Sequence, residues 1–275
     1  MGPHLPSRTL SQTVSRDDRL QAKAKKAAKP QKPKETLPES ISSIASVFVC
    51  GLFIITFIMQ AFEIPSGSME NTLLVGDHVF VDRLTPAAKA GYLGPLMPYH
   101  APHRGEVIVF LHPKEPGMYV VKRIMGVPGD RIHLEGGKLF VNGQALNEPY
   151  LNPDHGFYKQ YRDDFPKYSP STDPNVYPDW PIVLENNIVN GEVVVPKDSY
   201  FGMGDNRAES LDSRYWGFIP KQNIIGRPLF IYWSFVTPSD QYQHTSLTDR
   251  VGFIAHIMTH FFSETRWDRM FRMVR

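Results

Sequence analysis

The longest apolar run in the chain extends from Ser40 to Phe62, 23 residues without a charge and dense in Ile, Val and Phe. As a helix it would rise roughly 35 Å, more than a hydrocarbon core of about 30 Å, so the pattern predicts a membrane-spanning helix over 40–62. Beyond it the period drops to short alternating runs, "DHVFVDRL", "EVIVFLHP", "YVVKRIMGV", "DRIHLEGGKLFVNG", "GEVVVP" and "PLFIYWSF", which predict strands. The Gly136-Gly137 pair inside the fourth of these predicts a two-residue hairpin. The expected fold class is mainly β: an antiparallel sheet domain over 63–238, anchored by one N-terminal transmembrane helix. A variable insertion of about 144–191 interrupts it, and its centre, 148–181, holds seven prolines among many aromatic residues and reads as a long loop. The last segment, 239–275, contains "VGFIAHIMTHFF" and then Trp267, Met270 and Phe271 among arginines, the pattern of an amphipathic helix. Two settings suit such a helix, a lipid interface or a seat on the β-domain.

Charge adds a direction. Residues 1–38 carry nine Lys or Arg against three acids, and 1–39 reads as a disordered basic tail. Because the basic excess precedes the apolar run, the positive-inside rule keeps the N-terminus cytoplasmic and places residue 63 onward outside. A cleaved signal peptide fits less well: the leader and the apolar run are both too long, and no small-x-small site follows. A formal net charge of +2 argues against a nucleic-acid partner bound over the whole surface. The single cysteine, Cys50, excludes an intrachain disulfide and supplies no cysteine-based metal spacing; no metal or cofactor is expected.

Three polar stretches stand out from this frame. "IPSGSMENTLLVGDH" begins two residues after the apolar run and brackets Gly67 with Ser66 and Ser68. By composition alone it is a turn leaving the bilayer; as chemistry it offers an exposed hydroxyl that needs a base. Histidine is the usual partner, but His100 and His103 of "HAPH", the one closely spaced pair, read as a solvated proline loop. Lys122 interrupts the apolar strand "YVVKRIMGV", as an edge lysine or as a base made neutral by burial. Arg123 beside it should point to the opposite face. Finally "MGDNRAESLDSRYWGFIP" crowds Asp205, Asn206, Arg207, Ser210, Asp212, Ser213 and Arg214 into one turn; singly these are capping or ion-pair residues.

In order, spacing and context, these stretches together resemble the type I signal peptidases (leader peptidases) of bacteria, over residues 64 to about 235. The resemblance implies a Ser/Lys peptidase of the signal-peptidase and repressor-cleavage fold, with Ser68 as nucleophile and Lys122 as general base. It implies that Ser66 lends its hydroxyl to the oxyanion hole with the Ser68 N–H, that Ser210 orients the lysine amine, and that Asp212 and Arg214 brace the site. Ile64, Pro65 and Met69, with Ser66, would then line a shallow pocket that admits alanine before the cut. The chain departs from the family pattern at Met69-Glu70-Asn71-Thr72, where a proline is frequent, and at Ala208-Glu209. ER-type relatives carry histidine in place of the lysine, so a bacterial inner-membrane enzyme is implied, acting on the outer side on Ala-x-Ala sites of signal-peptide-bearing precursors. Its partners would be those precursors and membrane lipid. A non-catalytic tethered β-module would keep the strands without needing a buried lysine. A self-cleaving repressor would need a folded DNA-binding N-terminus.

Overall fold

The computed structural model describes residues 36–83, 100–154, 156–170, 173–243 and 246–275. All but the last residues of the expected basic tail lie outside these. The chain divides into two units between Val49 and Cys50. The N-terminal helix, Leu37–Phe53, is started by the Thr36 N–H donating to Glu39 Oε2 at 2.8 Å, one half of a capping box. A π turn, Ile54–Ile58, follows, and Met59–Glu63 is a strand. The helix predicted over 40–62 is thus corrected at its end. Ile54 and Ile55 are β-branched and cost the helix rotamer freedom, while Met59–Glu63 find a pairing partner in the sheet. No helix among the described residues is long and apolar enough to cross a membrane.

The strands are β1 Met59–Glu63, β2 Asp77–Asp82, β3 Val107–Leu111, β4 Tyr119–Gly126, β5 Arg131–Glu135 and β6 Lys138–Val141. They continue with β7 Gln144–Ala145, β8 Ile188–Val189, β9 Glu192–Val194, β10 Ser199–Met203, β11 Ile219–Pro220 and β12 Ile224–Ser234. The first sheet has the order β1-β2-β12-β3-β4-β10-β11 and the second β7-β6-β5-β9-β8. Neighbours are antiparallel, as the alternating runs predict. Gly136 and Gly137, both at positive φ (55° and 81°), close the β5–β6 hairpin in the expected register, Glu135 opposite Lys138.

The insertion is more than a loop. It holds β7, β8 and the helices Gln160–Asp163 and Trp180–Glu185. Its Tyr161, Phe165, Trp180 and Leu184 are buried with Phe201, Tyr215, Trp216 and Ile219 in the larger core. Burial accounts for these aromatic residues, whereas Phe157 and Tyr158 of the same segment stay exposed. At the other end, the helix expected over 239–275 occupies only Leu247–Glu264. Residues after it run alongside β12, with Phe271 N donating to Ile231 O at 2.7 Å and Val274 N to Leu229 O at 2.9 Å. Arg269 clamps the buried Asp77, Nε to Oδ1 at 3.0 Å and Nη2 to Oδ2 at 2.5 Å. The last eleven residues are therefore part of the domain.

Candidate active site

Gly67–Met69 form one 3-10 turn just after β1. Met69, 1% exposed, packs inward with Ile64, Leu73, Val79 and Ile231 and so fixes the turn from below. Ser68 is left half-buried at the surface. Its carbonyl accepts from Asn206 N at 3.1 Å, which ties the turn to the loop after β10. Gly204 makes that approach possible: a Cβ there would stand 2.4 Å from Ser68 O and 2.3 Å from Ser210 Oγ.

Lys122 comes from the middle of β4, opposite Ile108 of β3, and is 3% exposed. Its Nζ lies 2.6 Å from Ser68 Oγ, so two residues 54 positions apart meet in one hydrogen bond. Gly202 of β10 gives the lysine stem room, since a Cβ there would reach within 3.3 Å of Lys122 Cβ and 2.7 Å of Ile219 Cδ1. Burial pushes the ammonium down to about 8; Asp212 pulls it back up, Arg214 lowers it and Asp205 raises it.

Asp212 and Arg214 are fully buried and joined by two bonds of 2.8 Å. Asp212 also caps the helix Ser213–Trp216 and accepts from Gly204 N at 3.1 Å. Burial alone would raise its carboxyl, but the Arg214 charge and hydrogen bonds hold it below the usual range. The pair thereby fixes the loop that reaches Ser68.

Not every expected residue is placed as the sequence suggests. Ser66 is exposed beside Ser68. Ser210 is buried but its hydroxyl has no hydrogen-bond partner among the described residues, so the expected bond to the lysine amine is not formed here. Of the expected pocket residues Pro65 and Ser66 are exposed, whereas Ile64 and Met69 are claimed by the core. Two clefts of about 390 and 520 Å³ lie elsewhere and neither borders Ser68 or Lys122. Arg123 does alternate away from Lys122, yet it is equally buried. It forks onto Asp205 at 2.9 and 2.7 Å, donates to Gly105 O at 2.7 Å, and stacks 3.9 Å from the Tyr150 ring centroid. Thr72 Oγ1 completes the group with a 2.5 Å bond to Asp205. This second ion pair binds the strand of Lys122 to the loop of Asn206. Asp205 was visible in the sequence only as one member of a crowded turn, and nothing there named Arg123 as its partner.

The site thus brings a serine hydroxyl and a buried lysine amine together on the β-scaffold. The family model described as "Signal peptidase, peptidase S26" matches residues 37–233, and the chain belongs to that family. It is 29% identical to signal peptidase I of Buchnera aphidicola subsp. Baizongia pistaciae, covering 86% of this chain and 89% of that one. With signal peptidase I of Leptolyngbya laminosa the identity is 34% over 76% and 86%, and with that of Pseudomonas aeruginosa 30% over 74% and 74%. Among solved structures, a signal peptidase I from Enterococcus faecalis matches at 30% identity and TM-score 0.35, covering 46% of this chain and 97% of that one.

Proposed function

We propose that this chain removes signal peptides from exported precursors by acyl transfer through Ser68, with Lys122 as the only proton carrier. The observation that carries the reading is the 2.6 Å contact between Ser68 Oγ and a buried Lys122 Nζ. Neutral Lys122 takes the hydroxyl proton as Oγ adds to the scissile carbonyl. The Ser68 N–H, in the first turn of its 3-10 helix, where N–H groups lack an intrahelical partner, donates to the oxyanion together with the Ser66 hydroxyl. The ammonium then protonates the leaving amine, giving the ester of Ser68 and the free mature protein. Water, deprotonated by the same amine, hydrolyses the ester and releases the signal peptide. Ile64 and Met69 pack into the core and leave Pro65 and Ser66 as the exposed side chains next to Ser68, which supports a preference for small side chains and Ala-x-Ala sites. A non-catalytic tethered module gives no role to a lysine desolvated against a serine.

The direct test is to incubate the detergent-solubilised protein with a precursor bearing an Ala-x-Ala site and sequence the new N-terminus; cutting elsewhere, or none, removes the reading. The pH profile adds a second test. Activity should rise with pH through an acid limb near 8, where Lys122 loses its proton. An acid limb near 6.5, the histidine range, would assign the base to another group.

Membrane attachment belongs to the same reading. Helix and π turn together, Leu37–Ile58, would rise roughly 30 Å, and Ile44, Val47, Phe48 and Phe53 are exposed. We assign this segment as the anchor, N-terminus cytoplasmic and catalytic domain outside. The C-terminal helix supplies a second lipid contact. Trp233 and Phe235 of the β-domain hold one side through Phe261 and Phe253, while Leu247, Val251, Ile254, Met258 and Phe262 form an exposed stripe at helical spacing. Val251→Asp with Met258→Asp should slow cleavage of a bilayer-embedded precursor by about tenfold, the loss of two lipid-buried side chains, and leave a short soluble peptide unaffected. Equal losses on both substrates would leave the helix only its seat on the domain.

A further inference from the structure

Outside the Ser68 site, the described residues hold two groups able to ligate a metal: His100, His103 and Glu106, and His256, His260 and Glu264. The second lies along one helix and its polar atoms already serve each other. His256 Nε2 meets Glu264 at 2.8 Å, and His260 Nδ1 meets Thr259 and a backbone carbonyl. The first group is different. Glu106 stands at the entrance to β3 with its side chain 2% exposed. Its backbone is held by Ile124 of β4, whose N–H donates to Glu106 O at 2.8 Å. Oε2 is satisfied by the N–H and ring of His103, at 3.1 and 2.6 Å. Oε1 is buried and has no hydrogen bond among the described residues. His100 Nε2 at 3.7 Å and Arg227 Nη1 at 3.6 Å stand within ion-pair range of it, but too far to hydrogen-bond. A desolvated carboxylate oxygen between cationic or ligating groups calls for a positive charge closer than either.

We infer that His100, His103 and Glu106 bind a divalent transition-metal ion of the zinc class, as a reversible structural clamp at the start of β3. Two imidazoles and one carboxylate suit zinc and its neighbours, whereas calcium and magnesium take oxygen ligands. Ligand atoms of a tetrahedral zinc site stand about 3.3 Å apart, as follows from metal–ligand distances near 2.0 Å. The 3.7 Å from His100 Nε2 to Glu106 Oε1 is close to that, and one ligand atom from each of the three lies within 4.8 Å of the others. The His100 side chain, 42% exposed, has room to turn and close the remainder, His103 is already held against Glu106, and Arg227, 38% exposed, swings into solvent as the ion takes its place. Water fills the fourth position. Three protein ligands on a surface segment give labile binding, which suits a clamp and not a constitutive core. The ion would stiffen the segment whose neighbour, β4, carries Lys122; it takes no part in the acyl transfer. The proline-loop reading of "HAPH" omitted Glu106, because its burial against β4 is not visible from spacing.

Cobalt, with its visible spectrum, and zinc test the assignment on the full chain in detergent. Wild type and a His256→Ala/His260→Ala variant should both develop the intense visible bands of tetrahedral Co²⁺ at one equivalent. Zinc should bleach those bands and raise the melting temperature relative to a chelator-treated sample. His100→Ala/His103→Ala should lose the bands and the melting shift, with zinc affinity down at least a hundredfold. Should the double variant melt early without metal, the single His100→Ala variant must show the same loss of bands. Bands that persist in both His100 variants, or that vanish only with His256 and His260, overturn the assignment.

Discussion

Ser68→Ala and Lys122→Ala each bring precursor cleavage down by about 10³-fold or more, with the folded domain intact. Nucleophile and base act as a unit, so removing either removes nearly all of the covalent route. Lys122→Arg fails as fully, since a guanidinium stays protonated and cannot accept the hydroxyl proton. Lys122→Met makes the sharper test because it separates chemistry from stability. The buried lysine titrates near 8 instead of 10.5. The unfolded chain therefore binds the proton more tightly than the folded one, and stability rises as pH increases from about 8 to 10.5. Below 8 the burial cost is fully present, about 3 kcal/mol from the size of the shift. Methionine fills the same space without it, so Lys122→Met should be inactive yet melt higher than wild type at pH 7, with the gain fading above pH 10. Chemical denaturation at the two pH values measures this. A Lys122→Met protein that retains a tenth of the cleavage rate, or that is destabilised at pH 7, would remove Lys122 from the role of buried base.

Much of this was legible in the chain, for uneven reasons. The apolar runs located β2, β3, β4, β5, β6, β9 and β12; β2, β5 and β6 alternate because one face is buried, whereas β3 is buried at four of its five positions and stood out as an apolar run. β10 escaped: in "SYFGM" Ser199 and Gly202 leave too short an apolar run to read as a strand, although four of its five residues are buried. Yet β10 positions the loop on which the site depends. Ser68 and Lys122 were legible as chemistry only through the combined motifs, and their contact is a product of pairing between distant strands. The partners of charged residues were the least legible. Nothing local links Arg123 to Asp205 or Arg269 to Asp77, 82 and 192 positions apart, so buried ion pairs are written by topology. The same holds for the C-terminal segment, where amphipathic composition predicted helix and the edge of β12 claimed the end of it as extended chain.

Asp212→Asn should be the most destabilising single change near the site. It leaves the Arg214 guanidinium, which has no solvent exposure, without its carboxylate, a loss of about 3–5 kcal/mol for a broken buried pair. In a domain of this size that is a fall in melting temperature of roughly 10 °C. The remaining activity should also carry a signature. Asp212 is the main group raising the lysine against its burial, so its neutralisation lets Lys122 titrate lower and moves the acid limb below 8. Arg214→Met works in the other direction on the same limb, since the guanidinium charge depresses the lysine, while costing comparable stability by stranding Asp212. With both replaced, by Asn and Met, no buried charge is left without a partner, and the losses should be far from additive, with a coupling of about 2 kcal/mol or more. Some loss persists, because the asparagine is a weaker acceptor for Gly204 N and for the helix that Asp212 caps. Thermal melts of the four proteins and pH profiles of the active ones decide the matter. Additive losses, or an acid limb that stays near 8 in Asp212→Asn, would mean that the pair holds the loop in place without setting the charge on Lys122.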